Sequence, residues 1–427
     1  MNKDNNKNNN NKNNTIVNNI NNPIIIVGSG ITGLFCAYHL TKIGKNVLVF
    51  EKENEIGGRA KSIQINPENN NYTIEAGAGV IRSDDDKIID LAKELGIEMN
   101  FWKSKTDIIY HDSKTNKNEL LDLDYSKIIK KVCKNSDDSK SFLNAVNYAD
   151  ITQKEKTGIL IGTSYTELYE ANSYQVCHDN DLYEFMVNDS KYEYGKPANG
   201  WTELIHALRD SIIKNQGEIY KNSSVVEISD IFVVVDFDNN SKNLRKIPFS
   251  KLYITAPMHF MKTIKLTSSL NQWYNVANEL IKETDYLRVY SYFEQPLKIP
   301  NKIASNLPIR RVIPITDQLI MTAYTEGNDA DMIYYKFQNK DKKLSQYIRK
   351  QLKLLLNIKT IPKIKKNWIM FWKNGISSWK PSYDNLEDIV SYLQNPVSNI
   401  YFCGDTYSMT PGWISGCLDS AIQVLSM

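Results

Sequence analysis

The first informative change in the hydrophobic pattern comes at Pro23. Ile24, Ile25, Ile26 and Val27 form an unbroken β-branched run, the pattern of a parallel strand covered on both faces. Gly28, Gly30 and Gly33 follow, and then Leu34, Ala37, Tyr38 and Ile43 recur at helical spacing until Gly44. A second apolar run, Val47 to Phe50, ends in Glu51, with Lys52 beside it. Strand, glycine turn, helix, strand and acid in this order predict a dinucleotide-binding unit. The first glycine allows the tight turn, the second lets the backbone approach a pyrophosphate, and the third lets the helix pack on the sheet. The helix start, with Ile31 and Thr32, offers an anion site. Glu51 stands where such a unit holds a ribose 2′-hydroxyl, which disfavours a bound 2′-phosphate.

Further along, Ile63 and Ile65 alternate with polar neighbours and Tyr72 to Glu75 returns, which predicts a hairpin. Gly77-Ala78-Gly79-Val80 comes next, a row small enough for a flat ring to lie against the backbone. The pattern then predicts helices over Asp84 to Leu95 with Ser83 as cap, Leu120 to Val132, Ser141 to Tyr148, Thr202 to Ile213 and Leu344 to Leu356. Strands are expected at Ile231 to Phe237, Leu244 to Ile247, Leu252 to Ala256, Leu287 to Phe293, Leu319 to Thr325 and Met332 to Phe337. Near the end, Ile400 to Phe402 delivers Gly404 and Asp405 to a strand's carboxyl edge, where open α/β sheets bind ligands. Pro411-Gly412 then opens a last helix, whose first amides lie near Trp413 and Ile414.

Composition narrows the field. In 427 residues, 52 basic and 49 acidic side chains leave a net charge of +3, so no overall field points to nucleic acid or an anionic membrane. No apolar segment reaches the about 20 residues of a membrane span. Residues 1–22 are mostly Asn and Lys and are expected to be disordered. Cys36, Cys133, Cys177, Cys403 and Cys417 show no ligand-like spacing. With no secretory leader pattern at the N-terminus, this predicts a reducing, cytoplasmic setting and no structural metal. His111, His178 and His206 share no metal-ligand spacing either. Trp368, Trp372 and Trp379 are candidates to line a buried pocket.

Taken together, IIIVGSGITG, VFEKENEIGGR with Gly57, Gly58 and Arg59, EAGAGVI, the GW helix, YITAP, YFCGD and PGWISGCLDSA resemble the flavin-containing amine oxidase family. That resemblance implies an α/β fold: a Rossmann-like FAD-binding domain in three segments (23–81, 198–258 and 398–427) and an α+β substrate domain (82–197 and 259–397). It also implies non-covalent FAD, a Val225 backbone that reads the adenine edge, and Asp405 on the ribitol. The implied reaction is oxidation of an amine or amino acid by hydride transfer to flavin N5, with oxygen as acceptor, giving an imine and hydrogen peroxide. The sequence departs from the family at one functional point: where the family carries a lysine near N5, the strand holds Arg288, which stays charged and cannot replace a lysine as proton shuttle. No aromatic pair marks itself as an amine cage. The alternative is a flavoenzyme of the same fold and other chemistry, such as an isoprenoid-type desaturase, a renalase-like oxidase or a sugar mutase. In that case Arg288 and Arg82 would grip a phosphate or carboxylate.

Overall fold

The structure, a computed structural model, describes residues 22–163, 169–178 and 192–427. The tail over 1–22 therefore lies, except for Asn22, outside the described residues.

Five short strands, Ile24–Val27, Val47–Phe50, Glu218–Tyr220, Lys251–Ile254 and Ile400–Phe402, form one parallel sheet in the order 218–220, 47–50, 24–27, 251–254, 400–402. Side chains alternate along each strand, so every strand feeds two cores. Ile24, Ile26, Val47, Val49, Tyr253 and Tyr401 meet the helices Ile31–Lys42, Trp201–Lys214 and Ile414–Leu425. Ile25, Val27, Leu48, Phe50, Leu252, Ile254, Ile400 and Phe402 pack on the other side against Trp273, Leu386 and Val390. Burial on both faces explains why these strands read as continuous apolar runs.

A second, seven-stranded mixed sheet runs in the order Ile364–Trp379, Ile281–Phe293, Leu319–Glu326, Arg311–Pro314, Lys302–Ser305, Thr106–Asp112, Lys117–Leu120. Its longest contacts join Ile281–Phe293 to both neighbours. One face, with Leu287, Val289 and Ala323, packs on the helices Gly327–Phe337 and Asp341–Leu356. The other face presents Tyr286, Arg288 and Tyr290 to a cavity between the two sheets.

Several sequence expectations change here. Met332–Phe337 is not a strand but the end of the helix Gly327–Phe337, because Ala330, Ile333 and Phe337 fall on one buried helical face. Leu120 ends a strand, and the helix begins at Tyr125, capped by Asp124, whose carboxylate accepts from the Lys127 amide. Ser83 does not cap the next helix. That helix spans Asp86–Glu94 with Asp85 at its cap, while Ser83 Oγ accepts from the Glu193 amide at 3.1 Å. The last helix starts at Ile414 rather than at Pro411. Cys133 and Cys177 form a disulfide between the helices Tyr125–Cys133 and Ser173–His178, which corrects the expectation of uniformly reduced cysteines. Tertiary packing of two helices makes that pair, so spacing alone could not reveal it. Among the described residues no helix is long and apolar enough to cross a membrane, and no group of His, Cys, Asp and Glu could hold a metal.

Candidate active site

One cavity of about 1710 Å³ extends from the glycine turn after the first strand to the face of the seven-stranded sheet. Gly28, Gly30, Ile31, Thr32, Glu51, Lys52, Gly57, Gly58, Arg59, Gly77, Ala78, Gly79, Val80, Val225, Arg288, Asp405, Gly412, Trp413 and Ile414 all line it. Gly33 and Gly404 do not. They act from behind the wall: a Cβ on Gly33 would stand 2.0 Å from the Gly28 carbonyl, and the Gly404 amide donates to Ser420 Oγ at 2.8 Å.

The dinucleotide end is made largely of backbone. Gly28 has φ 97°, the left-handed conformation that the tight turn requires. A Cβ on Gly30 would meet nothing within 4 Å, so the backbone there borders open space. The helix Ile31–Lys42 has no side-chain cap, which leaves its first amides to a ligand. Glu51 is buried, and its carboxylate is fixed by the Ser29 amide and hydroxyl, both at 2.8 Å, and by the Glu53 amide at 2.9 Å. Val225 sits where the strand Ser223–Ile228 breaks register with Phe232–Phe237, and Val226 beside it also lines the cavity. An elongated space with an uncapped helix, a fixed carboxylate and an opening in the glycine turn fits a dinucleotide.

The middle of the cavity is floored by the segment Glu75 to Gly79, of which Glu75, Gly77, Ala78 and Gly79 line it, held by side chains from elsewhere. Tyr290 Oη and Arg288 Nη1 donate to the Glu75 carbonyl at 2.8 and 3.1 Å. Trp372 Nε1 donates to the Ala76 carbonyl at 2.7 Å, and Tyr286 Oη to the Gly77 carbonyl at 2.9 Å. Beneath, a Cβ on Gly77 would lie 2.0 Å from the Arg59 carbonyl. Arg59 in turn pairs with Asp405 at 2.7 Å, and the second Asp405 oxygen accepts from the Gly412 amide. The helix Ile414–Leu425 also starts without a side-chain cap, so a second set of amides borders this region. Such a fixed, flat floor fits a planar ring.

Arg288 is 4% exposed and stands over Gly79, with its guanidinium between the rings of Tyr286 and Tyr324, 5.3 and 4.8 Å from their centroids. Burial opposes its charge, but the surrounding tyrosines outweigh that and hold its pKa above the ordinary arginine value. Burial likewise pushes the Tyr286 and Tyr290 phenols up, so both stay neutral hydrogen-bond donors. Arg82, the other arginine singled out in the sequence, serves structure: it pairs with Asp84 at 3.1 Å and Asp85 at 3.6 Å. Of the three candidate tryptophans only Trp372 lines the cavity. Trp379 is core, bonded to the Ser408 carbonyl at 2.8 Å, and Trp368 packs with Ile65 and Tyr290. Sequence reasoning missed Tyr286, Tyr290 and Tyr324. The alternation of Tyr286, Arg288 and Tyr290 on one strand face was the available signal.

Comparison with known proteins agrees with this geometry. Residues 26–95 match the NAD(P)-binding Rossmann-like domain, and residues 141–424 match the flavin containing amine oxidoreductase family. The chain is 36% identical over 75 residues to flavin-containing amine oxidase A of Sus scrofa, a match spanning 18% of this chain and 14% of that enzyme. It is 18% identical to the flavin-dependent L-tryptophan oxidase RebO of Lentzea aerocolonigenes, covering 94% of this chain and 97% of the relative. The solved structure of a putrescine oxidase triple mutant superposes with a TM-score of 0.74 at 14% identity, covering 95% of this chain and 98% of that one. The chain belongs to the flavin containing amine oxidoreductase family.

Proposed function

We propose that the protein oxidises the carbon–nitrogen bond of an amine or amino acid, with oxygen as the final acceptor. The observation that carries this is the continuity of one cavity, from the Gly28 turn and Glu51 to the face bearing Tyr286, Arg288 and Trp372. In this account Gly28, Gly30, Ile31 and Thr32 receive the pyrophosphate with Gly33 packed behind them, Glu51 and Lys52 the ribose end, and Val225 the adenine. Gly57, Gly58 and Arg59, the floor Gly77 to Val80, Asp405, Gly412, Trp413 and Ile414 hold the flavin half, with Gly404 supporting Asp405 from behind. Bound FAD supplies a two-electron acceptor at N5.

The chain's part is to orient and to exclude water. The Glu75 to Gly79 floor fixes the cofactor's plane and the Trp372 ring borders the space beside it, so that the substrate carbon is aligned and the barrier falls without a strong base. As the substrate C–H bond breaks, its electron pair would leave with the hydrogen as hydride to the two-electron acceptor, the nitrogen lone pair would form the C=N bond, and the resulting iminium would lose its N–H proton to solvent on release. Oxygen would take the two electrons stored on the reduced cofactor, with two protons, as hydrogen peroxide, and the imine would hydrolyse to a carbonyl compound. The named relatives support both substrate classes, an amino acid for the L-tryptophan oxidase and a diamine for the putrescine oxidases.

A second activity, a same-fold flavoenzyme acting on a non-amine, is favoured by one feature alone: a permanently charged Arg288 at the lysine position. Peroxide release on a panel of amines and amino acids tests the two. Release with one class supports the oxidase. No release, together with anaerobic flavin reduction by a reduced nicotinamide, overturns it.

A further inference from the structure

We infer that the substrate carries an anionic carboxylate and that Arg288 is the group that binds it. This rests on the oxidase activity proposed above and narrows it from amines in general to amino acids.

Among the described residues, none supplies a counter-ion to the buried Arg288 cation. Among the described residues no carboxylate oxygen lies within 4.0 Å of its guanidinium, and its Nε, although buried, has no hydrogen-bond partner. A buried charge left in that state is costly unless a ligand supplies the opposite charge. Arg288 Nη1 donates to the Glu75 carbonyl, a neutral group, and its other described partners are the neutral phenols of Tyr290 and Tyr324. Guanidinium donors in a planar fork match a carboxylate or a phosphate, and a carboxylate is the anion that the amino-acid class of the proposed substrates carries.

The rest of the wall agrees. Lys302 and Arg311, from neighbouring strands of the same sheet, also line the cavity. Among the described lining carboxylates, Glu51, Glu53, Glu55 and Asp236 belong to the parallel sheet's loops and its adjoining hairpin. Asp405 is committed to Arg59, and Glu75 to Lys196 at 2.8 Å. None of these stands free beside Arg288 to receive an ammonium group. Tyr286 and Tyr324, whose rings meet at 5.4 Å and 70°, would otherwise offer an aromatic seat for a cation, but Arg288 already occupies it. A diamine would place a second positive charge against this wall, whereas an amino acid brings the missing negative one.

The test uses the FAD-loaded protein and two probes that cannot be oxidised at a C–N bond, benzoate and its neutral isostere benzamide. Binding is read from the flavin absorbance and from quenching of tryptophan fluorescence. Wild type should bind benzoate about tenfold or more tighter than benzamide, since a charge-assisted hydrogen bond is at stake. R288M should lose the preference, and R288K should retain part of it. Equal affinity of the two probes in wild type would overturn the inference, and so would an undiminished preference in R288M. A guanidinium that served only the cofactor would give the first of these results. If R288M does not fold, the wild-type comparison still decides. Because neither probe is turned over, a benzoate preference without peroxide release from any amine would refute the oxidase activity and leave the anion site standing. Flavin reduction by diamines alone, with no benzoate preference, would do the reverse.

Discussion

The two ends of the cavity recognise their ligands by different means. At the dinucleotide end, backbone amides, positive-φ glycines and one fixed carboxylate from a contiguous stretch, residues 28 to 59, do the holding. At the sheet end, long side chains from strands and loops far apart in sequence converge on the carbonyls of Glu75, Ala76 and Gly77. Backbone recognition tolerates changes in side chain but not in shape. Side-chain recognition tolerates changes in shape but not in chemistry, and substitutions at the two ends should therefore fail in different ways.

The largest effect is expected at Glu51. If Glu51 holds the cofactor's ribose as proposed, Glu51→Ala removes a charge-assisted hydrogen bond worth about 1.5–3 kcal/mol, or roughly tenfold to 150-fold in FAD affinity. Fluorescence titration of the flavin-free protein checks this, and unchanged affinity would remove Glu51 from the site. Gly30→Val comes next and separates binding from folding. Its φ of −62° suits any residue and its Cβ meets nothing, so the fold should survive. The added bulk should nevertheless weaken FAD by about 1–3 kcal/mol. A large drop in the apoprotein's Tm would show instead that the turn is sensitive for structural reasons.

At the sheet end, Tyr290→Phe deletes the donor to the Glu75 carbonyl but leaves Arg288 Nη1 in place. A loss of about 0.5–1.5 kcal/mol in stability is expected, with FAD affinity nearly unchanged. Urea titration and flavin titration on the same variant distinguish this from a role in cofactor binding. The smallest effect concerns Cys417, which lines the cavity beside Asp405. Burial and then the Asp405 charge push its thiol up to about 12. A raised pKa leaves the neutral thiol dominant below that pH, with roughly one thiolate in ten thousand at pH 8. Iodoacetamide at pH 8 should therefore leave Cys417 unlabelled by mass spectrometry, and rapid labelling would contradict its environment.

The same contrast explains what could be read from the chain. Gly28, Gly30, Glu51 and Asp405 were legible because local order, a strand then a turn then a helix, determines their setting. Tyr286 and Tyr324 were not, because their pairing depends on cross-strand register between Ile281–Phe293 and Leu319–Glu326. The Met332–Phe337 run misled because β-favouring residues there obey a helical burial pattern set by the sheet beneath. Trp368, Trp372 and Trp379 share one strand, yet only its register against Ile281–Phe293 decides which of them meets the cavity.

The most direct measurement is an anaerobic titration of the purified, FAD-loaded protein, following the oxidised-flavin absorbance as pooled L-amino acids and then pooled diamines are added. Bleaching by the amino acids, and not by the diamines, is the expected result. Bands that persist through every amine and amino acid pool would contradict the oxidase activity itself.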